Sequence, residues 1–215
     1  MTSKGILLVL SGFSGSGKGT VLKELMKKYD NYVFSVSATT RAPREGEQDG
    51  VDYFFVTEER FNEMIENDEL VEHACYVGNY YGTPRKYVED MLAKGKNVIL
   101  DIEVQGALNI KAKYPDALLM FVMPPSVKEI ERRLISRNTE DIDVIRKRML
   151  RGAVEIGAVS EYDFLVVNDD LDECVERMHN TVISAKYAIK RNMEFIDEMK
   201  KQFDEYVNMI QNEDN

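Results

Sequence analysis

Residues 5–20 read GILLVLSGFSGSGKGT, and this stretch decides the fold. The apolar run at residues 5–10 is typical of a strand that is buried on both faces of a parallel sheet. A glycine-rich loop follows, and residues 20–28 then repeat apolar side chains at helical spacing. Such a unit binds phosphate, because its glycines turn backbone N–H groups inward at the positive end of the helix dipole and Lys18 adds a point charge. The predicted phosphate-binding residues are Gly12, Ser14, Gly15, Ser16, Gly17, Lys18, Gly19 and Thr20.

The phosphate loop departs from the common pattern at one position. The match to G-x-x-x-x-G-K-[ST] breaks at Gly19, which stands where a serine or threonine hydroxyl usually contacts Mg²⁺. We therefore expect Mg²⁺ to be held mainly by nucleotide oxygens and water, and we assign no protein side chain as a metal ligand. The alternative, a glycine-rich turn that binds nothing, is disfavoured because strand, loop, lysine and helix occur in the required order.

Strand and helix patterns alternate along the rest of the chain. Buried strands are predicted at residues 97–102, 117–123 and 164–167. Helical patterns lie near residues 84–94, 103–113, 126–136 and 171–190. Ser126 and Glu129 form a capping box at the start of one of these helices. The alternation predicts an α/β fold with a mainly parallel sheet flanked by helices.

Two segments interrupt this alternation. Residues 36–83 are rich in threonine, tyrosine, glycine and charged side chains, and they predict short strands around one helix near residues 58–66. Residues 137–152 carry arginines among acidic side chains. We expect an inserted α+β subdomain and a mobile helical lid, respectively, within a single domain. The predicted core comprises residues 1–35, 84–136 and 153–190.

The C-terminal tail, residues 191–215, is predicted to be helical. A large apolar side chain recurs every seven residues, at Ile189, Ile196, Phe203 and Ile210, with Met193, Met199 and Tyr206 between them. The pattern spans about residues 185–211. It predicts either a coiled-coil seam that joins copies of the chain into a homo-oligomer or a terminal helix packed on its own core.

The composition is that of an ordinary globular protein with an acidic balance. Of the 215 residues, 44% are hydrophobic and 31% charged, and the formal net charge is −10. This charge argues against nucleic acid as a partner, and the lack of a run of about 18 apolar residues argues against a membrane span. Cys75 and Cys174 are isolated, and the chain has only His73 and His179, so neither a disulfide framework nor a histidine metal site is expected. A cytoplasmic location is predicted.

A pair of arginines lies in the inserted segment. Arg41 and Arg44 stand three residues apart, after hydroxyl side chains and before Tyr53. Because the planar guanidinium binds phosphate oxygens bidentately, the pair predicts a clamp for a monophosphate. The residues alone also allow two solvated arginines in a polar loop. Asp101 ends a predicted strand, where a carboxylate lies beside phosphates and their metal, although aspartate is also a common turn residue.

Several longer motifs lie along the chain. The stretch SVSATTRAPREGEQDGVDYFF at residues 35–55 resembles the GMP-binding signature of guanylate kinases. The resemblance continues through LVEHACYVGNYYGTP, VILDIEVQGA, RRLISRNTEDIDVIRKRM and VVNDDLD, and it covers about residues 5–190. It implies a phosphate-loop kinase fold and the reversible transfer of the γ-phosphate of ATP to GMP with Mg²⁺, in purine nucleotide metabolism.

The resemblance also implies roles for individual residues. The residues that match the grip on the GMP phosphate are Arg41, Arg44, Tyr53 and Tyr81. Those that match the guanine-reading positions are Ser37, Glu72, Thr83 and Glu103, the last standing where many relatives carry aspartate, and Asp101 is assigned to the same substrate site. Arg137 and Arg148 match lid arginines that close on the ATP phosphates, and Asn168 matches a position near the adenine. The predicted catalytic residues are Lys18, Arg41, Arg137 and Arg148.

The chemistry of guanine supports these assignments. Guanine presents N1–H and the 2-amino group as adjacent donors, and one carboxylate such as Glu72 accepts from both. Adenine offers no such pair and would leave a buried carboxylate poorly paired, at a cost of several kcal/mol. Two other functions share the fold: a peptide-binding interaction module, which typically has a degraded phosphate loop, and a kinase for another nucleoside monophosphate.

We expect direct in-line transfer with no covalent intermediate. The problem is the positioning of two anionic substrates and the neutralisation of their charge, and the ionised GMP phosphate needs no general base. The lid and the inserted subdomain are expected to close when both substrates bind, which excludes water. Acceptance of dGMP is also expected, because no motif residue guards the ribose 2′-hydroxyl.

Overall fold

The computed structural model describes residues 4–76, 78–136 and 141–213. Its strands are β1 (Leu7–Gly12), β2 (Tyr32–Phe34), β3 (Ala38–Thr39), β4 (Phe54–Phe55), β5 (Leu70–Tyr76), β6 (Asn79–Pro84), β7 (Asn97–Asp101), β8 (Leu118–Met123) and β9 (Phe164–Val167). Its α-helices are α1 (Lys18–Lys28), α2 (Glu58–Glu66), α3 (Arg85–Ala93), α4 (Val104–Lys113), α5 (Val127–Ser136), α6 (Ile142–Glu155), α7 (Leu171–Lys186) and α8 (Met193–Glu213). Short 3₁₀ helices cover Ile156–Glu161 and Ile189–Arg191.

The main sheet is parallel and carries the candidate site at one edge. Among the described residues it has five strands in the order β2–β7–β1–β8–β9. In central β1, Leu8 pairs with Ile99 of β7 and with Leu118 of β8. Because the strands are parallel, their carboxyl ends meet at a single edge, where ligands bind in open α/β sheets. The predicted α/β fold is confirmed.

The central strand is held by burial on both of its faces. Leu8 and Leu10 pack with residues of α1 and α7, whereas Leu7 and Val9 pack with residues of α3 and α4. Burial of each such side chain contributes about 1.5–3 kcal/mol relative to exposure. This two-sided packing explains the unbroken apolar run in the sequence, and it fixes the point at which the chain leaves β1 and enters the glycine-rich loop.

A smaller sheet lies within the inserted segment. In the described part of the chain it has four strands in the order β4–β3–β6–β5, and β6 is antiparallel to both of its neighbours. Helix α2 begins after Thr57, whose hydroxyl accepts a hydrogen bond from the Arg60 N–H. Its Phe61 and Met64 are buried against Ala38 and Leu70 of the sheet. The helix predicted near residues 58–66 is therefore confirmed.

Helix α6 includes most of the predicted lid and continues past it. It begins at Ile142 and ends at Glu155, beyond the predicted boundary at residue 152. Ile145 is buried in a cluster with Phe13 of the glycine-rich loop and Leu134 of α5. The helix is thus seated on the core beside the loop. Arg137 lies outside the described residues.

The long helical pattern predicted over residues 185–211 is broken, and this part of the prediction is wrong. Helix α7 ends at Lys186, and Ile189 lies in a 3₁₀ helix rather than in the tail helix α8. Buried Asn192 causes the break, because its Nδ2 donates to the carbonyl groups of Lys186 and Ala188 and satisfies acceptors that α7 leaves at its end. Within the described ranges, no helix is both long enough and apolar enough to cross a membrane.

Candidate nucleotide site

The glycine-rich loop turns between the end of β1 at Gly12 and the start of α1 at Lys18. Gly15 and Gly17 have φ angles of 86° and 81°, in the left-handed region that favours glycine. Gly17 is the N-cap of α1 and forms no side-chain cap hydrogen bond, and the first turn of the helix has no acidic side chain. The first N–H groups of α1 are therefore left for a ligand, and the helix dipole favours an anionic one.

Close packing beneath the loop explains two of its glycines. A Cβ atom at Gly12 would lie 2.4 Å from the carbonyl oxygen of Val122, and a Cβ atom at Gly17 would lie 2.4 Å from Asn168 Nδ2. At Gly19, by contrast, a Cβ atom would meet nothing within 4 Å. The position that departs from the common motif is therefore spatially open, whereas the two tight glycines are required by the fold.

Two polar side chains brace the loop from below. Asn168 follows β9 and is buried, and its Nδ2 donates to the Ser16 carbonyl oxygen at 2.8 Å. Arg133 on α5 donates from Nη1 to the same oxygen at 3.2 Å and from Nη2 to the Asn168 carbonyl at 2.9 Å. The Asn168 amide thus supports the phosphate loop in this structure, while its predicted place near the adenine stays a prediction.

The sequence interpretation missed Arg133. Glu129 positions it, with Oε1 at 2.7 Å from Arg133 Nε, and hydrogen bonds from Arg132 and Arg133 lower the pKa of Glu129 to about 2. The predicted capping box is therefore only half formed. Ser126 Oγ accepts from the Glu129 N–H at 3.2 Å, but the Glu129 carboxylate bonds the arginines. The spacing of Glu129 and Arg133, four residues apart on one helix, was the available signal.

Lys18 and Asp101 join the loop to the neighbouring strand. Asp101 ends β7, next to β1 in the sheet, and its Oδ1 lies 2.5 Å from Lys18 Nζ. Ser11 Oγ also donates to the Ile102 carbonyl at 2.7 Å. Across the described ranges, no group of three or more His, Cys, Asp or Glu side chains could hold a metal ion. Asp101 is therefore the carboxylate nearest the phosphate-binding lysine.

The residues predicted to read guanine line two cavities between the smaller sheet and β7. A cavity of about 790 Å³ is lined by Ser37, Tyr53, Glu72, Tyr81, Asp101 and Glu103. An adjoining cavity of about 390 Å³ is lined by Ser37, Tyr53, Thr83 and Asp101. Ser35 lines the smaller cavity as well, and its buried Oγ has no hydrogen-bond partner among the described residues. The sequence interpretation did not single out this hydroxyl, which is available to a ligand.

Glu72 and Thr83 form the polar centre of the larger cavity. The strands β5 and β6 shift register between Leu70 and His73, and Glu72 lies in this irregularity. Thr83 Oγ1 donates to Glu72 Oε1 at 2.8 Å. Desolvation by burial raises the pKa of Glu72, and the hydrogen bond from Thr83 and the charge of Lys113 oppose the rise. This carboxylate is thus held in place with one oxygen still available as an acceptor.

The two clamp arginines differ in how they are held. Arg41 Nη2 lies 2.8 Å and 3.0 Å from the two carboxylate oxygens of Glu47, and its guanidinium stacks over the Tyr53 ring at 5.3 Å. The hydrogen bond with Glu47 raises the pKa of Arg41. Arg44 is exposed and contributes its backbone N–H to Glu47 at 2.7 Å. Tyr53 and Tyr81 pack edge to face, 6.0 Å apart. Arg41, Tyr53 and Tyr81 are thus brought together, with Arg44 at the rim.

Helix α6 contacts both halves of the site. Arg148 Nη1 donates to Ser14 Oγ of the loop at 2.5 Å. Arg151, which the sequence interpretation did not single out, forms ion pairs with Glu103 and with Glu155. A cavity of about 520 Å³ is lined by Gly12, Ser14, Lys18, Asp101, Glu103, Arg148 and Arg151. It shares Asp101, Glu103 and Arg151 with the cavity of about 790 Å³ around Glu72, which we call the guanine-side cavity after its predicted ligand. The two cavities therefore adjoin at the carboxyl end of β7.

Comparison with known proteins agrees with this geometry. A model of the guanylate kinase family matches residues 4–186. A guanylate kinase of Streptococcus thermophilus (strain CNRZ 1066) is 48% identical over 192 residues, which are 89% of this chain and 92% of that protein. One of Halalkalibacterium halodurans is 48% identical over 190 residues, 88% of this chain and 93% of that protein.

A solved structure gives the same result. The crystal structure of guanylate kinase from Anaplasma phagocytophilum matches with a TM-score of 0.67 and 36% identity, over 89% of this chain and 91% of that one. The present chain belongs to the guanylate kinase family, and its reaction is phosphoryl transfer from ATP to GMP.

Proposed function

We propose that this cleft catalyses direct, reversible in-line transfer of the γ-phosphate of ATP to the phosphate of GMP. One observation carries the proposal: the cavity at the phosphate loop and the cavity at Glu72 adjoin at Asp101 and Glu103. A donor phosphate on the loop and an acceptor phosphate beside the smaller sheet would meet at this edge. The geometry needs no covalent intermediate, because the two substrates approach from opposite sides of the same strand end.

On the donor side, we assign ATP to the phosphate loop. The free N–H groups at the start of α1 would bind phosphate oxygens, and Lys18 would exchange Asp101 for the phosphates. Arg148 would neutralise charge on the transferred group from its position beside Ser14. Arg137 is proposed for the same role from the sequence resemblance, since it lies outside the described residues.

On the acceptor side, we assign GMP to the space between Glu72 and Arg41. The free acceptor capacity of Glu72 would take the two adjacent donors of guanine, and Ser37, Thr83 and Glu103 would complete the contacts with the base. Arg41, Arg44, Tyr53 and Tyr81 would hold the phosphate, with Arg41 released from Glu47 to bind it bidentately. Because the acceptor oxygen is already ionised near neutral pH, no base is required.

The residues present fit a Mg²⁺ ion that arrives with ATP. Asp101 is a carboxylate with 39% of its side chain exposed at the edge of the phosphate cavity, and Gly19 leaves open space where a hydroxyl ligand commonly stands. Asp101 would hold the ion together with phosphate oxygens and water, consistent with the oxygen preference and slow dehydration of Mg²⁺. The ion would supply charge neutralisation to the phosphates.

We propose that the chain has one domain in which residues 36–83 and the lid at residues 137–152 close over the core. The contacts of Arg148 with the loop and of Arg151 with Glu103 link α6 to both substrate spaces, which supports coupled closure. Small-angle scattering that detects no contraction with ATP analogue and GMP together would contradict it. Free Cys75 and Cys174 support a reducing cytoplasm. We also propose self-association through the C-terminal tail.

The test of the reaction is a coupled assay of ADP release from MgATP. GMP, dGMP, AMP, UMP and CMP are offered separately. We expect turnover with GMP and dGMP, because no described side chain is assigned to the 2′-hydroxyl, and rates at least about 10²-fold lower with AMP, because Glu72 would be left poorly paired. Equal rates with AMP would refute the guanine assignment of Glu72 and leave the kinase assignment intact.

A further inference from the structure

The tail helix α8 presents an apolar face that its own chain leaves uncovered. It has 21 residues, from Met193 to Glu213, and a length of about 31 Å. Within the described ranges, no α8 side chain belongs to a hydrophobic core cluster. Large side chains along it are 39–62% exposed, namely Met193, Phe195, Met199, Phe203, Tyr206, Val207, Met209 and Ile210. A terminal helix that packs on its own core, one of the two sequence interpretations, is therefore wrong.

Four of these exposed side chains, together with half-buried Ile196, have the spacing of a coiled-coil seam. Ile196, Met199, Phe203, Tyr206 and Ile210 are separated by three, four, three and four residues in turn. This is the a/d pattern of a heptad repeat, and it places these side chains along one stripe of α8. The break at Asn192 shortens the predicted seam, because Ile189 lies outside α8. The remaining predicted residues, Ile196, Phe203 and Ile210 with Met199 and Tyr206 between them, keep their spacing.

Charge along the tail is divided between two ends. In the first part of the tail, residues 191–201 carry three basic and three acidic side chains, a net charge of zero, and Lys186 and Lys190 lie just before it. Residues 202–215 carry four acidic side chains and no basic one, a net charge of −4. A parallel pair of tails would set −4 against −4, whereas an antiparallel pair sets each −4 half beside a neutral half and its end beside Lys186 and Lys190. The antiparallel two-fold arrangement is therefore the one that charge favours.

Basic side chains line a concave surface at the start of α8. Lys4, Lys186, Lys190 and Arg191 line a cavity of about 360 Å³ at the start of α8, with Asp116 and Glu194 as its acidic lining. The Lys186 ammonium is half-buried and has no ion pair or hydrogen bond among the described residues, and burial lowers its pKa. An acidic segment placed here would restore favourable interactions to that charge.

We propose that two copies of this chain associate by antiparallel pairing of α8, with the acidic end of each tail lying beside the basic cavity at the start of its partner's α8. This inference rests on the self-association proposed above and is independent of the phosphoryl transfer. The negative end of each helix dipole would also lie beside the partner's lysines. A membrane surface is a poorer occupant, because α8 carries six acidic and two basic side chains and would be repelled by anionic lipid. The family model matches residues 4–186 and ends before α8, so the family match itself assigns no partner to this helix.

The first experiment measures the mass of the full chain in solution by multi-angle light scattering, across a concentration series. We expect twice the mass of one chain, falling toward one as concentration falls, with weaker association at high salt. Phe203→Glu is expected to give the single-chain mass. Asn208→Glu is the matched control, since it adds the same charge to the same helix away from the seam and is expected to leave the dimer intact. A wild-type chain that is monomeric at every concentration would overturn the proposal, and so would equal effects of the two substitutions.

The second experiment reads the orientation. A spin label is attached to Asn212→Cys in a Cys75→Ser background, and the distance between the two labels of a dimer is measured. Antiparallel pairing is expected to separate them by about 30 Å along the axis, from the helical rise, whereas parallel pairing would set them about 10 Å apart. A short distance would overturn the antiparallel arrangement but keep self-association. GMP kinase turnover of the same samples is recorded separately, so that a failure of the proposed reaction is distinguishable from a failure of the dimer.

Discussion

The phosphate loop and the cavity around Glu72 hold their polar groups in different ways. The loop uses backbone N–H groups whose positions are fixed by left-handed glycines and by buried Asn168 beneath them. The cavity uses side chains, and several already hold an internal partner: Arg41 holds Glu47, and Glu103 holds Arg151. The loop is therefore preformed, and substrate adds to it. If GMP binds as proposed, Arg41 and Glu103 exchange these internal ion pairs for substrate contacts, and the affinity for GMP should depend on those pairs.

The largest expected effect tests the link between the two regions. Lys18→Ala removes the charge that now pairs with Asp101 and that we assign to the ATP phosphates. We expect kcat/KM to fall about 10³-fold, as for the loss of one strong stabilising group in a phosphoryl-transfer site, with little change in melting temperature. Lys23→Ala, at an exposed position of the same helix, is the control and is expected to retain activity. Equal activity of the two variants would refute the role of Lys18.

The second effect separates charge from shape in the guanine-side cavity. Glu72→Gln keeps the hydrogen bond with Thr83 but loses the charged acceptor for guanine, and we expect kcat/KM for GMP to fall about 10²-fold. Glu66→Gln, an exposed carboxylate at the end of α2, is the control. If Glu72→Gln retains full activity, the carboxylate does not read the base.

The pH dependence of the same variant gives an independent measure. Burial raises the folded-state pKa of Glu72 above its ordinary value, so the folded protein binds this proton more tightly than the unfolded chain does. Without substrate, the Glu72 contribution to the free energy of unfolding therefore rises as pH falls through the window between the two pKa values. GMP binding should weaken in the same window, because the protonated carboxyl loses an acceptor site. Both trends should be absent from Glu72→Gln, and their persistence there would assign them to another group.

The third effect probes the preformed loop. Gly17→Ala places a Cβ atom 2.4 Å from Asn168 Nδ2 at a φ of +81°, whereas Gly78→Ala at φ +75° meets nothing within 4 Å. In both variants the left-handed backbone costs about 1–2 kcal/mol, but only Gly17→Ala displaces Asn168, which supports the loop. We expect about a tenfold higher KM for ATP in Gly17→Ala alone, with melting temperature measured for both. If ATP kinetics are equal in the two variants, the loop does not depend on its contact with Asn168.

The smallest effect probes the ion pairs of the acceptor side. Arg151→Gln releases Glu103, and we expect KM for GMP to fall by no more than about fivefold, because both partners are largely exposed and the pair is weak. Arg146→Gln breaks a pair with Asp143 on the same helix, away from the cavities, and is the control. A rise in KM for Arg151→Gln would mean that Arg151 itself binds substrate.

Local signals in the sequence were sufficient for much of this molecule. The strand–loop–helix at residues 5–28, the parallel sheet and α2 were predicted because each depends on hydrophobic periodicity and glycine placement. Strand β2 was missed, since its three residues are too short to show a period. The peptide-binding alternative and the kinase for another monophosphate both give way to the family match over residues 4–186. The residues assigned to GMP were identified by their resemblance to guanylate kinase motifs, and the role of each remains a prediction.

The architecture and the phosphate loop could be predicted from the sequence, because hydrophobic periodicity and glycine placement are local patterns. Which charged groups meet depended on the folded structure. Three contacts join residues that are far apart in the sequence. Arg133 contacts Asn168 across 35 positions, Arg151 contacts Glu103 across 48, and Lys18 contacts Asp101 across 83. The folded structure also decided where the tail helix begins, through the side-chain hydrogen bonds of Asn192. Such pairings depend on the folded geometry of distant elements, and no local pattern of residues encodes them.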